Sequence, residues 1–246
     1  MDSRAIDNIR MPAHFQECEG VCKTHGKFTA IYNTRDKSIS SCPACEEQRR
    51  QQSVYFERVE QFKKVASIPK RFMNKGFQDY EIHSKSQEEA KKLAENYLKN
   101  FRAETGTSII MSGKTGTGKT HLAISIMQEL IKKCVHCKYT TLQDMLSEIK
   151  ESYDSAATAK EKEIIKKYVI PELLVIDEIG IIELSKYDDA LIYKIVNERY
   201  VNIKPTIVIT NLTISELKNY LDDRIIDRLR EGGGFAIEFN FDSFRR

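Results

Sequence analysis

Gly113-Lys114-Thr115-Gly116-Thr117-Gly118-Lys119-Thr120 decides the fold. The stretch has the form Gly-x-x-x-x-Gly-Lys-Thr. Residues 108–112 before it read as a short buried strand. Residues 121–132 after it carry Leu122, Ile126, Leu130 and Ile131 at helical spacing. The glycines let the backbone curl until its N–H groups point at phosphate oxygens, and the helix that follows turns its positive end, beginning near His121, on the same anion. Lys119 is placed to neutralise β- and γ-phosphates, and the Thr120 hydroxyl to ligate Mg²⁺. Strand, loop and helix together therefore predict a site for a nucleoside triphosphate.

Further along, Leu173-Leu174-Val175-Ile176 is an unbroken apolar run of the kind a central parallel strand shows, and it ends in Asp177-Glu178. Beside a phosphate loop this is a Walker B ending, with Asp177 for Mg²⁺ and Glu178 for the attacking water. A third apolar strand, 206–210, ends in Asn211, whose amide suits a water-holding or γ-phosphate-sensing role and equally suits a turn. In 223–230, Arg224 and Arg228 stand four apart on one helix face, with Ile225 and Leu229 on another. That pair suits either a neighbour's phosphate or a solvated face of Asp to Arg pairs.

The chain of 246 residues has room for one sizeable α/β domain and a small appendage, with 41% hydrophobic residues and a net charge of +3. No apolar stretch reaches membrane-spanning length. Residues 1–10 are polar and charged without an apolar signal core, so a cytoplasmic location and no membrane partner are expected. The net charge is too small to demand nucleic acid. Arg49, Arg50, Arg58, Lys63, Lys64, Lys70, Arg71 and Lys75, interleaved with Tyr55, Phe56, Phe62 and Phe72, read equally as a DNA-contacting segment or as a solvated helix.

Six cysteines in that compartment point to metal rather than disulfides. Cys22-x-x-His25 is followed, after sixteen residues, by Cys42-Pro43-Ala44-Cys45. Residues 29–32 and 38–41 can pair across the 33–37 turn, which predicts a zinc-ribbon geometry with one tetrahedral Zn²⁺. Cys18, four residues before Cys22, competes with His25 for the fourth place. Cys134 and Cys137 have no second pair and read as packing residues.

The expected organisation is a zinc-ribbon-like module over 1–48, a helical linker over 49–67 and the nucleotide-binding domain over 68–246. One helix is expected over 46–67 and another over 87–102, with Ala90, Leu93, Ala94, Tyr97, Leu98 and Phe101 on one face. Residues 138–141 read as a strand, 142–153 as a helix, 155–163 as a polar link and 236–239 as the last strand. The fold class is α/β: three layers around a mostly parallel five-stranded sheet, nucleotide at the strands' carboxyl ends, and no helical lid.

From about residue 68 onward the chain resembles the DnaC-type replicative helicase loaders, AAA+ ATPases related to the IstB proteins. The match runs through Ile68-Pro69-Lys70-Arg71-Phe72, Phe77-Gln78-Asp79-Tyr80, residues 112–121 and 173–180, Ser185-Lys186-Tyr187, Thr210-Asn211, Asp227-Arg228-Leu229 and Phe241-Asp242-Ser243-Phe244-Arg245. The resemblance implies nucleotide-side roles for Phe72, Phe77 and Tyr80, an arginine finger at Arg228 acting on a neighbouring subunit's ATP, and a second sensor at Arg245. It implies single-stranded DNA contacts at Lys150, Tyr153, Ser185 and Tyr187, self-association through the ATPase domain, and a hexameric, DnaB-like helicase as partner. The family's known loader starts with a helical helicase-binding segment where this chain carries the cysteine module, so the module and the 46–67 helix are the expected helicase contact. Two other readings are an IstB-like transposase helper acting on duplex DNA, and a zinc-organised adaptor whose nucleotide site only switches.

Overall fold

The computed structural model describes residues 12–151 and 158–243, without the side chains of 158–160. Phe15–Cys22 (β1) pairs antiparallel with Gly26–Asn33 (β2), and Ser38–Ile39 (β3) pairs antiparallel with the end of β2. The second turn is held by Asp36, whose carboxylate accepts from Ser38 N at 2.9 Å and from Asn33 Nδ2 at 2.9 Å. β1 is absent from the expectations above. Its outward Glu17 and Glu19 dilute the apolar pattern, and Gly20 lies against Phe28, where a Cβ would sit 2.6 Å from the ring. Pro43–Val65 (α1) begins with proline at its first position, where no N–H is needed. The chain divides into two units, one up to Arg58 and one from Val59.

In the second unit, Lys85–Asn100 (α2) is capped by Ser84, which accepts from Gln87 N. Five strands follow: Ile109–Gly113 (β4), Cys137–Thr141 (β5), Leu173–Ile179 (β6), Thr206–Thr210 (β7) and Phe235–Phe239 (β8). They form one sheet in the order β5-β6-β7-β4-β8, and every pairing is parallel. Between them run Lys119–Lys132 (α3), Leu142–Glu151 (α4), Thr158–Val169 (α5), Lys186–Val201 (α6), Ile214–Tyr220 (α7) and Asp223–Arg230 (α8).

Alternation along the strands builds two cores. Ile109, Met111, Val175, Ile207, Ile209 and Ile237 face α2 and α3, while Ile110, Leu174, Ile176 and Val208 face the helices from α4 to α8. These are the three expected layers. Two expectations fail. Leu93 is 42% exposed, because Gln87, Ala90, Ala94 and Tyr97 take the buried face of α2. Of the polar link expected over 155–163, residues 158–163 open α5 and 155–157 lie outside the described residues; the charged first turns of α5 obscured an apolar face at Ile165, Tyr168 and Val169, all buried. Cys137 is fully buried, as a packing residue should be. Among the described residues no helix is long and apolar enough to cross a membrane.

Strand order decides where the site lies. The connections from β4 and from β7 leave in opposite directions along the sheet, so a crevice opens at the carboxyl ends of β4, β6 and β7.

Candidate functional site

A cavity of about 500 Å³ fills that crevice, large enough for a nucleotide. Its walls include Thr115, Gly116, Gly118, Lys119, Thr120 and His121 from the loop and α3, Asp177 and Glu178 from β6, Thr210 and Asn211 from β7, and Arg71, Phe72, Asp79, Tyr80 and Glu81 from the segment before α2. Gly118, at φ +88°, adopts the left-handed conformation open to glycine, and a Cβ there would meet Tyr80 Cε2 at 2.6 Å. Gly113 precedes the bend, where Lys114 O accepts from Thr117 Oγ1 at 2.8 Å; Thr117 is fully buried and braces the loop from behind. The Lys119 ammonium donates to the carbonyls of Gly113 and Lys114 at 2.5 and 2.7 Å. Burial lowers its pKa to about 8, against the opposing pull of Asp177. This is a cation held by two carbonyls where an anion would hold it better.

Thr120 Oγ1 donates to Asp177 Oδ2 at 2.8 Å, so hydroxyl and carboxylate converge beside the loop in the way a Mg²⁺ between them and phosphate requires. Asp177 also accepts from Tyr139 Oη at 2.9 Å and from Glu178 N at 2.7 Å. A bulge between Ile176 and Ile179 interrupts the pairing of β6 with β7, and Glu178 inside it has φ +62°. Left-handed backbone at a non-glycine residue costs about 1–2 kcal/mol and clusters at functional sites. Burial first, then the charges of Asp177 and Asp144, raise the Glu178 pKa, which suits a proton acceptor.

The aromatic segment divides. Tyr80, 4% exposed, lies on the loop and donates to Thr117 O at 3.3 Å; Phe72 lines the cavity. His121 Nε2 meets Gly76 O at 2.9 Å and its ring packs edge-on to Tyr80. Phe77 does not line the cavity. It opens a 3₁₀ turn over Phe77–Asp79 that sends its own ring into the core and brings Asp79 and Tyr80 to the wall. Arg71, its guanidinium 5.3 Å from the Phe72 ring, is a cavity residue that no motif marks, although it lies next to Phe72 in the segment 68–72.

Arg228 lies outside this cavity, on α8. Its guanidinium sits 4.3 Å from the centre of the Tyr200 ring and meets Glu231 at 2.8 Å, in a groove shared with Leu229 and Gly232. Arg224 stacks on Tyr193 at 4.6 Å and pairs with Asp222 at 2.7 Å. Lys150 and Ser185 come together through Asp188, which is nearly buried. Lys150 Nζ lies 2.6 Å from Asp188 Oδ1, and the Ser185 hydroxyl donates to Oδ2 at 2.7 Å while capping α6. Tyr187, in the first turn of α6, is 45% exposed. Tyr153 and Arg245 lie outside the described residues.

In the first unit, the ligand atoms of Cys22, His25, Cys42 and Cys45 all lie within 4.8 Å of one another. Cys22 Sγ is 3.5 Å from Cys45 Sγ, and His25 Nδ1 is 3.7, 3.7 and 3.4 Å from the sulfurs of Cys22, Cys42 and Cys45. Ligands at ordinary Zn²⁺ distances in a tetrahedron stand about 3.8 Å (S to S) and about 3.6 Å (S to N) apart, so the donor set and spacing fit. Cys18 is not in the group. It sits within β1 opposite Ala30, four residues short of the knuckle. Hydrogen bonds, first from the His25 backbone, hold the Cys22 thiol well below its usual range, while donation to Cys22 pushes Cys45 up.

Residues 42–245 match the family described as IstB-like ATP binding protein. The replicative helicase loader DnaC of Escherichia coli K12 is 35% identical over 172 residues, covering 70% of this chain and 69% of that protein. The uncharacterized protein YdaV of the same strain is 31% identical over 206 residues, covering 82% and 79%. The crystal structure of the DnaC helicase loader superposes with a TM-score of 0.61 at 25% identity, over 69% of this chain and 99% of that one. The chain therefore belongs to the IstB/DnaC family of AAA+ ATP-binding proteins.

Proposed function

We propose that this protein loads a hexameric, DnaB-like replicative helicase onto single-stranded DNA at replication initiation, and hydrolyses ATP to complete or reset the cycle. The observation that carries the reading is the similarity to replicative helicase loader DnaC over 172 residues, in a chain that carries a nucleotide-sized cavity. Thr120 and Asp177 would hold Mg²⁺, which supplies charge neutralisation for the β- and γ-phosphates. Lys119 would exchange the carbonyls of Gly113 and Lys114 for phosphate. Glu178 would orient the attacking water and accept its proton, Asn211 would fix that water, and Phe72, Tyr80 and His121 would bound the base and sugar side.

Arg228 lines no part of its own chain's cavity, which supports a role on a neighbour's ATP in a self-associated assembly. The surface around Lys150, Ser185 and Tyr187 is the proposed track for single-stranded DNA, and Asp188 ties two of the three together. A Zn²⁺ at Cys22, His25, Cys42 and Cys45 would have no open position, so its role is structural and folds a segment too small for a core of its own. That module (1–48) and the linker (49–67) are proposed to meet the helicase, leaving 68–246 as the ATPase, and the activity places the protein in the cytoplasm.

Glu178→Gln and Arg228→Ala should each abolish single-stranded-DNA-stimulated ATP hydrolysis while the wild type co-purifies with the helicase in a nucleotide-dependent manner. A second reading is favoured by the name of the matching family, IstB: a transposase helper on duplex DNA. No helicase complex, together with ATP-dependent coating of duplex DNA, would select it.

A further inference from the structure

We propose that Tyr139 is a positioning residue for the metal-binding carboxylate of Asp177, and that it sets the affinity of the nucleotide site for Mg²⁺. The inference rests on the nucleotide-site reading but not on the helicase or any other partner. Tyr139 stands on β5 opposite Val175 of β6, while Thr141 stands opposite Asp177. Residues two apart on a strand share a face, so Tyr139 and Asp177 are diagonal neighbours across two strands, within reach of a long side chain. The phenol uses that reach: Tyr139 Oη lies 2.9 Å from Asp177 Oδ2. Both side chains are almost wholly buried, at 8% and 4% exposed, so water does not compete for the bond.

A neutral phenol beside a carboxylate donates. Asp177 therefore receives three bonds from three directions: Tyr139 and Thr120 Oγ1 on Oδ2, and Glu178 N on Oδ1. The Glu178 amide orients the carboxylate from its own backbone. Thr120 is itself the second expected metal ligand, so its hydroxyl must turn to accommodate an ion. Among the described residues, Tyr139 is the side-chain donor on Asp177 with no other task at the site, and its bond can persist when Mg²⁺ is bound. Outer partners of this kind orient ligating carboxylates, and their loss costs about 10–100-fold in metal affinity or activity.

Tyr139→Phe removes the hydroxyl and keeps the ring that packs in the core. The test is Mg²⁺ titration of the binding of a fluorescent, non-hydrolysable ATP analogue, with affinity in EDTA and melting temperature as controls. The expected result is at least a tenfold rise in the Mg²⁺ concentration for half-maximal tightening, with EDTA affinity unchanged and the melting temperature still well above that of the assay. A Mg²⁺ midpoint equal to that of the wild type would overturn the proposal. Should phenylalanine disturb the strand, Tyr139→Met carries the same test with the same expectation. If the wild type itself gains no affinity from Mg²⁺, the nucleotide-site reading fails and this proposal falls with it; if the wild type tightens with Mg²⁺ and the variant does so at the same midpoint, the proposal alone fails.

Discussion

Arg199 is fully buried on α6 without a carboxylate partner among the described residues, and replacing it by methionine measures what it contributes. Its guanidinium donates to Thr206 Oγ1 at 2.9 Å and to the carbonyls of Tyr168 (2.8 Å), Val169 (3.3 Å), Pro171 (2.8 Å) and Pro205 (2.5 Å). It thereby ties the turn before β6 to the turn before β7. Not every acceptor is orphaned when it goes. Val169 O keeps Lys204 Nζ at 3.1 Å and Pro205 O keeps Leu174 N at 3.4 Å, whereas Tyr168 O and Pro171 O keep no other recorded donor. Two buried carbonyls at about 2 kcal/mol each come to about 4 kcal/mol. Part is returned because a buried charge, whose desolvation lowers the pKa to about 9, is no longer buried. Arg199→Met should therefore cost about 3 kcal/mol, which for a unit of this size lowers the melting temperature by about 6–12 °C. Thermal and urea unfolding followed by circular dichroism read both quantities. Nucleotide affinity should hold at temperatures where the variant is folded, because Arg199 acts at the amino ends of β6 and β7, opposite the cavity. An unchanged or higher melting temperature would refute the reasoning, since desolvation of the guanidinium would then outweigh its hydrogen bonds.

Lys119 makes nucleotide affinity pH-dependent. In the empty site its pKa is about 8, and triphosphate beside it raises that value, so the bound state holds more proton above pH 8. The dissociation constant should be level from pH 7 to 8 and then rise by up to about tenfold per pH unit. Calorimetry in buffers of different ionisation heat checks the proton uptake, and a level constant to pH 9.5 would contradict it. For the cysteine group, metal analysis should find one Zn²⁺ per chain, lost in Cys45→Ser and retained in Cys18→Ser. Amide exchange in β1 and β2 should accelerate when a chelator removes the ion.

What the sequence discloses here follows from how local each cause is. The phosphate loop and the Asp177-Glu178 ending announce themselves because a few adjacent residues do the chemistry, and the buried run at 173–176 needs no partner to be read as a central strand. α5 and β1 are hidden for opposite reasons. In α5 a charged turn precedes the apolar residues that dock it; in β1 alternating glutamates and a glycine leave little apolar signal, and the hairpin depends on β2 to exist. Phe77 and Tyr80 are three apart in one segment, and only the 3₁₀ turn between them decides which ring enters the core and which lies on the loop. The Tyr139 to Asp177 bond spans 38 positions and two strands, a relation no motif records. Arg228 sets the limit of one chain's structure. Its stacking on Tyr200 and its bond to Glu231 occupy a groove apart from the cavity, so Lys119 is the cation that a single copy brings to the phosphates from its own loop. If Arg228 acts as proposed, a second copy must draw it off Glu231. That solvent-screened contact is weak enough for a neighbour's phosphate to displace. ATP turnover per chain should then rise with protein concentration in the wild type and stay level in Arg228→Ala; a wild-type rate independent of concentration would leave each chain complete in itself.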